Sequence, residues 1–228
     1  MITKSSIAGI NTKVDCDNKR LFKNLEAFRY DYRGEPDVTV KITDLELKNF
    51  CTKYTGYDRD AALLRLSAEC FLNALPEFGG FGLKAATVSF GEQTFVIAAE
   101  SEQEKHRYVE DLLSCGNRAT VIDDAYAVVI KDDTGIFVYG TPWAKTPVNT
   151  KKELSGIILP SDCTGIRSAE RKEAIDRMMI CLTLPKRPEQ LVSVLARIDG
   201  VGDLVPVMVT PVTDPAAFYS YVEFGFSG

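Results

Sequence analysis

This 228-residue chain has only one histidine (His106), one tryptophan (Trp143) and six cysteines that are dispersed. Zinc sites need clustered Cys and His ligands, and Cys16, Cys51, Cys70, Cys115, Cys163 and Cys181 show no C-x-x-C and no paired short spacing. Free thiols in a reducing compartment are expected instead. No apolar run approaches the roughly 18 residues of a membrane helix. The opening Met-Ile-Thr-Lys-Ser-Ser has no signal-peptide core. A cytoplasmic protein without a membrane partner is therefore expected. Basic charge is also short: Lys and Arg number 27 against 32 Asp and Glu, a net charge of −5. A general attraction to nucleic acid is not expected from that balance. What is present, 45% hydrophobic and 26% charged residues, suits an ordinary globular domain. No internal repeat, low-complexity tract or Pro/Ser-rich linker divides it.

Apolar periodicity predicts alternating strands and helices. Strands are expected over 6–14, 36–43, 84–90, 94–98, 119–122, 125–130, 135–139, 155–159 and 205–209. Helices are expected over 18–28, 60–75, 103–114, 168–181, 187–200 and 214–224. Asp60 is the expected cap of the second helix, and Pro76 with Gly79-Gly80-Phe81-Gly82 its end. Strands 84–90 and 94–98 read as a hairpin turning at Gly91-Glu92-Gln93. The pattern implies one α/β unit over 1–228, with a β-rich part (1–58) packed on a core (59–228).

Residues 93–114 are the most informative segment: a buried strand, a short turn and an amphipathic helix, which is the order of a P-loop, although the motif itself fails to match. The eight residues 99–106 align with G-x-x-x-x-G-K-[ST], and Lys105 falls at the lysine. Ala99 and Glu104 replace the two glycines, and His106 replaces the hydroxyl residue. Glycines let backbone N–H groups wrap a phosphate, and the hydroxyl holds Mg²⁺. Glu100, Glu102 and Glu104 add three carboxylates, each costing a phosphate about 1 kcal/mol at about 4 Å even in water.

Several segments in order make the chain resemble the HPr-kinase-like family, with its phosphoenolpyruvate-carboxykinase-like nucleotide-binding fold. They are Lys84-Ala85-Ala86-Thr87-Val88, the loop from Ala99 to Arg107, Asp123-Asp124, and Tyr139-Gly140-Thr141-Pro142-Trp143. The resemblance implies an α/β P-loop fold with mixed sheets and flanking helices. It also implies ATP and Mg²⁺ as ligands, with Lys105 on the phosphates, His106 at the hydroxyl position of the same nucleotide site, and Asp123 and Asp124 on the metal. Lys84 stands where the family has a histidine near the active site, and Trp143 falls at a pocket-lining position, though it reads equally as a residue filling the edge of the core.

The departures govern the functional expectation. A lysine without its nest of N–H groups is a point charge only. Asp123-Asp124 reads equally as an acidic turn at a strand end, His106 as an exposed helix-start residue, and Glu100, Glu102 and Glu104 as partners of the helix dipole. Arg167, Arg171, Lys172 and Arg177 could clamp a phosphate, but Glu170, Glu173 and Asp176 interleave with them, as on a solvated helix face. The expected protein has lost ATP binding and phosphoryl transfer and needs no cofactor. It is expected to bind a protein, peptide or small ligand as a regulatory module. The alternative is an active kinase or nucleotide-binding enzyme with an altered loop, using ATP and Mg²⁺.

Overall fold

The computed structural model describes residues 1–115, 119–185 and 187–224. Its first element already departs from the periodicity. Where one strand is expected over 6–14, β1 (Ile2–Ile7) and β2 (Ile10–Asp15) form a hairpin. Ala8 and Gly9 both take positive φ, 54° and 78°, as a two-residue turn between right-twisted strands requires. β3 (Val38–Lys41) then pairs parallel to β2, completing a three-stranded sheet.

Helix starts follow side-chain capping. Asn18 caps α1 (Lys19–Asn24), its Oδ1 accepting the Leu21 N–H at 2.8 Å, and a 3₁₀ turn (Leu25–Phe28) continues it. α2 (Asp44–Lys53) has no counterpart among the expected elements, although Thr43 and Glu46 spell its capping box. α3 (Arg59–Leu72) is capped by Asp58 rather than Asp60: Asp58 Oδ1 accepts the Ala61 N–H at 2.7 Å. After a 3₁₀ turn (Leu75–Phe78), the glycine stretch read as a breaker is the buried strand β4 (Gly80–Leu83). Its glycines are there for close packing. A Cβ on Gly82 would lie 2.6 Å from Leu72 Cδ2, and one on Gly80 2.8 Å from the Val129 carbonyl oxygen.

The remaining elements are β5 (Ala86–Phe90), β6 (Gln93–Ile97), α4 (Glu102–Ser114), β7 (Ala119–Asp123), β8 (Ala127–Asp132) and β9 (Gly135–Tyr139). After them come β10 (Lys151–Glu153), β11 (Gly156–Ser161), β12 (Arg167–Ser168), α5 (Arg171–Cys181), α6 (Pro188–Gly202), β13 (Val207–Pro211) and α7 (Pro215–Phe224). The expected stop of α4 at Gly116 lies outside the described residues. A six-stranded mixed sheet runs β12-β13-β11-β6-β5-β7, and an antiparallel one runs β10-β9-β8-β4. The chain thus has the α/β class with mixed sheets and several helices that the sequence implies.

Alternation along two strands builds the layers. On β6, Val96 faces a core shared with Phe81, Val129 and the helices α5 and α6. Phe95 and Ile97, on the opposite face, join Tyr108 and Leu112 of α4 and Phe218 of α7. On β8, Val129 faces the first of these cores. Val128 and Ile130 meet α3, the N-terminal sheet and Trp143. The exit of β6 and the start of α4 are therefore held by buried strands on both sides.

Candidate functional site

Between β6 and α4 the chain runs from Ala98, whose N–H reaches the Ile158 carbonyl at 2.9 Å, into a side-chain-capped helix start. Ser101 Oγ accepts the Glu104 N–H at 3.1 Å, and the Ser101 carbonyl accepts the Lys105 N–H at 3.0 Å. The helix begins at Glu102, one residue before the expected start, with Glu102 and Glu104 in the positive first turn. Lys105 is buried, 1% exposed, and its ammonium lies 2.7 Å from Glu102 Oε2. This is an ion pair without hydrogen-bond geometry. The loop is held from the other side too. Cys181 Sγ donates to the Ala99 carbonyl at 3.1 Å, and burial pushes this thiol up to about 11. Arg177, next to it, donates to the Pro160 carbonyl and lies 3.6 Å from Glu100.

At the end of β7 the two aspartates are tied to the backbone. Asp123 is wholly buried: Oδ1 accepts the N–H groups of Ala125 and Tyr126 at 2.9 Å each, and Oδ2 accepts that of Thr141 at 2.8 Å. Burial pushes its carboxyl up to about 7, against those hydrogen bonds and one from the Thr141 hydroxyl. Asp124 Oδ1 accepts the Lys145 N–H at 2.7 Å. Asp123 thus anchors the segment Tyr139-Gly140-Thr141-Pro142-Trp143 to the β7–β8 turn, and Asp124 anchors Lys145 just after it. Mg²⁺ needs hard oxygen donors, and three of the four carboxylate oxygens here already accept backbone N–H groups. Among the described residues no group of three or more His, Cys, Asp or Glu could hold a metal ion.

Beside these anchors lies a cavity of about 810 Å³. The start of α1 (Asn18, Arg20), the first turns of α3 (Tyr57 to Arg65), the opening of α4 and the 125–126 turn enclose it. Lys84, His106 and Trp143 line it; Lys105, Asp123 and Asp124 do not. Trp143 donates from Nε1 to Ser67 Oγ at 2.9 Å and leans on Phe71, ring centroids 5.4 Å apart. Three wall residues had no place in the sequence reading. Arg65 bonds Glu69 at 3.0 Å and the Tyr57 hydroxyl at 2.6 Å, and it lies over the rings of Phe50, Tyr54 and Tyr57 at 5.4–5.6 Å. Tyr126 is burial-shifted upward. The clustering of Phe50, Tyr54 and Tyr57 ahead of a capping Asp58 was the available signal for this wall.

The basic stretch faces carboxylates. Arg167 reaches both Glu173 oxygens at 2.7 Å, and Arg171 pairs with Asp199.

No protein-family model and no curated protein matches this chain. Among solved structures, an HPr(Ser) kinase/phosphatase from Coxiella burnetii aligns over 54% of this chain and 89% of its own. The identity is 9% and the TM-score 0.28, and at that level the likeness carries no argument. Among the described residues no helix is long and apolar enough to cross a membrane.

Proposed function

We propose that the protein is a degenerate member of the HPr-kinase-like, phosphoenolpyruvate-carboxykinase-like group. On this reading it has lost ATP binding and phosphoryl transfer and works as a binding or regulatory module whose ligand enters the 810 Å³ cavity. The reading rests above all on the fate of positions 99–106. Ser101 caps the helix where a phosphate would sit, and the carboxylate of Glu102 stands on the ammonium of Lys105. A nucleotide would have to displace both, and the loop has no glycine with which to open. The aspartates that would hold its metal are engaged by backbone N–H groups. The cavity, in contrast, has a volume within the range of small-molecule sites, several hundred to about 1,000 Å³.

Calorimetry of the whole chain with ATP and Mg²⁺ tests this. Heats too weak to give a dissociation constant below about 10 µM are expected. Tighter binding than that sinks the reading in favour of a nucleotide-binding enzyme with an altered loop.

A further inference from the structure

We infer that the cavity takes a small aromatic carboxylate, with Lys84 as its counter-ion; this deepens the binding-module reading and rests on it. Several charges in the wall are already engaged. Arg65 is committed to Glu69 and to the Tyr57 hydroxyl, and Glu102 to Lys105. Asp58 accepts the Ala61 N–H as the cap of α3. Arg20, Asp60 and His106 are exposed, so water screens them.

Lys84 remains. Its backbone N–H is fixed on the Cys181 carbonyl at 2.7 Å, so the residue is anchored at the end of β4. Its side chain is half-buried, and among the described residues its ammonium has no hydrogen bond or ion pair. A partly desolvated cation facing a cavity is a ready partner for an anionic ligand group, because charge-assisted hydrogen bonds are the strong ones. One such cation suits one negative charge. A polyphosphate carries several negative charges and would find one half-buried ammonium among the lining residues.

The rest of the wall fixes the body of the ligand. Tyr57 and Tyr126 supply ring surfaces, Trp143 lines the cavity while itself only 2% exposed, and Ala61, Leu64 and Ala125 supply apolar ones. Such walls favour a ring that can stack or meet them edge-on. A single ring carrying one carboxylate fits both halves of this chemistry and leaves room in 810 Å³.

Trp143 is the one tryptophan of the chain and lines the cavity, so its emission reports occupancy. The probes are phenylacetate, phenylacetamide and phenethylamine, which share a ring and differ in charge. Titrated into the whole protein, phenylacetate is expected to bind about tenfold more tightly than the amide, with the amine weakest. Lys84→Met should bring phenylacetate to the affinity of the amide and leave the amide unmoved, while Lys84→Arg should keep the preference. Equal affinity for the three probes overturns the inference. So do preference for the amine, an unchanged preference in Lys84→Met, and silence of Trp143 toward every probe up to about 10 mM. The underlying reading falls on a different result, tight Mg²⁺-ATP binding in the calorimeter.

Discussion

Asp123→Asn separates two forces that oppose each other in one buried side chain. Unfolded, an aspartate titrates at its ordinary value of 3.8; in the fold, burial pushes Asp123 up to about 7. Between those values the native state holds a proton that the unfolded chain releases. Protons bound in the native state then exceed those in the unfolded state, and stability falls as pH rises through this window. The gap corresponds to about 4 kcal/mol at its full extent. Asn cannot ionise, so the variant lacks this slope. Its Oδ1 can still accept the N–H groups of Ala125 and Tyr126, but its amide nitrogen would face the N–H of Thr141. That donor–donor contact costs about 1–3 kcal/mol at every pH. Urea unfolding followed by far-UV circular dichroism at about pH 4.5, 6 and 7.5 reads the difference, provided the m-value is constant. The variant should be the less stable protein at the acid end, and the gap should close or reverse toward neutral pH. A gap that widens as pH rises would refute the reasoning. It would mean that Asp123 folds as a carboxylate and that its four hydrogen bonds outweigh burial.

Three further outcomes are expected. Glu102→Gln leaves the buried Lys105 ammonium without a counter-charge and should cost about 1–2 kcal/mol, less than a fully buried pair because Glu102 is largely exposed. Adding Lys105→Met should recover much of that loss, and denaturation midpoints no better in the double variant would contradict the pairing. Gly82→Ala drives a methyl into Leu72 between α3 and β4 and should lower stability by about 1–3 kcal/mol in thermal or urea melts; a neutral effect would mean Leu72 can move aside. Combining Ala99→Gly, Glu102→Gly, Glu104→Gly and His106→Ser should restore nucleotide affinity no tighter than about 100 µM by calorimetry, since Asp123 and Asp124 remain engaged. Micromolar affinity in a natively folded fourfold variant would place the whole lesion in the loop.

The parts of this fold that follow from local chemistry were legible. The β5–β6 hairpin, the central burial of Phe95, Val96 and Ile97, and the order strand–turn–helix around Lys105 follow from alternation and apolar periodicity. Errors arose where one residue type serves two purposes. Gly80 and Gly82 look like breakers because glycine ends helices, yet here they admit Leu72 and the β8 backbone into van der Waals contact. Ala8-Gly9 hid a turn because Ile7 and Ile10 continue an apolar pattern across it. Lys84, His106 and Trp143 meet around one cavity, as a pocket reading allows, but its other wall comes from α3, tens of residues away from each of them. Arg65 and Tyr57, eight residues apart, face each other only because the chain turns back at Asp58. No spacing rule encodes that approach.

The pairing of Lys105 with Glu102 also bears on how this chain can change. Once an ammonium is buried against a single carboxylate, that carboxylate cannot be replaced alone without leaving a buried charge uncompensated, whereas Glu102, largely exposed, stays hydrated when Lys105 is lost. Glu102 is then kept by the lysine three residues on, and the presence of that lysine is no sign of nucleotide use. The same contact that closes the loop thus sets an order of change: a substitution at position 102 should be accepted only after, or together with, one at position 105.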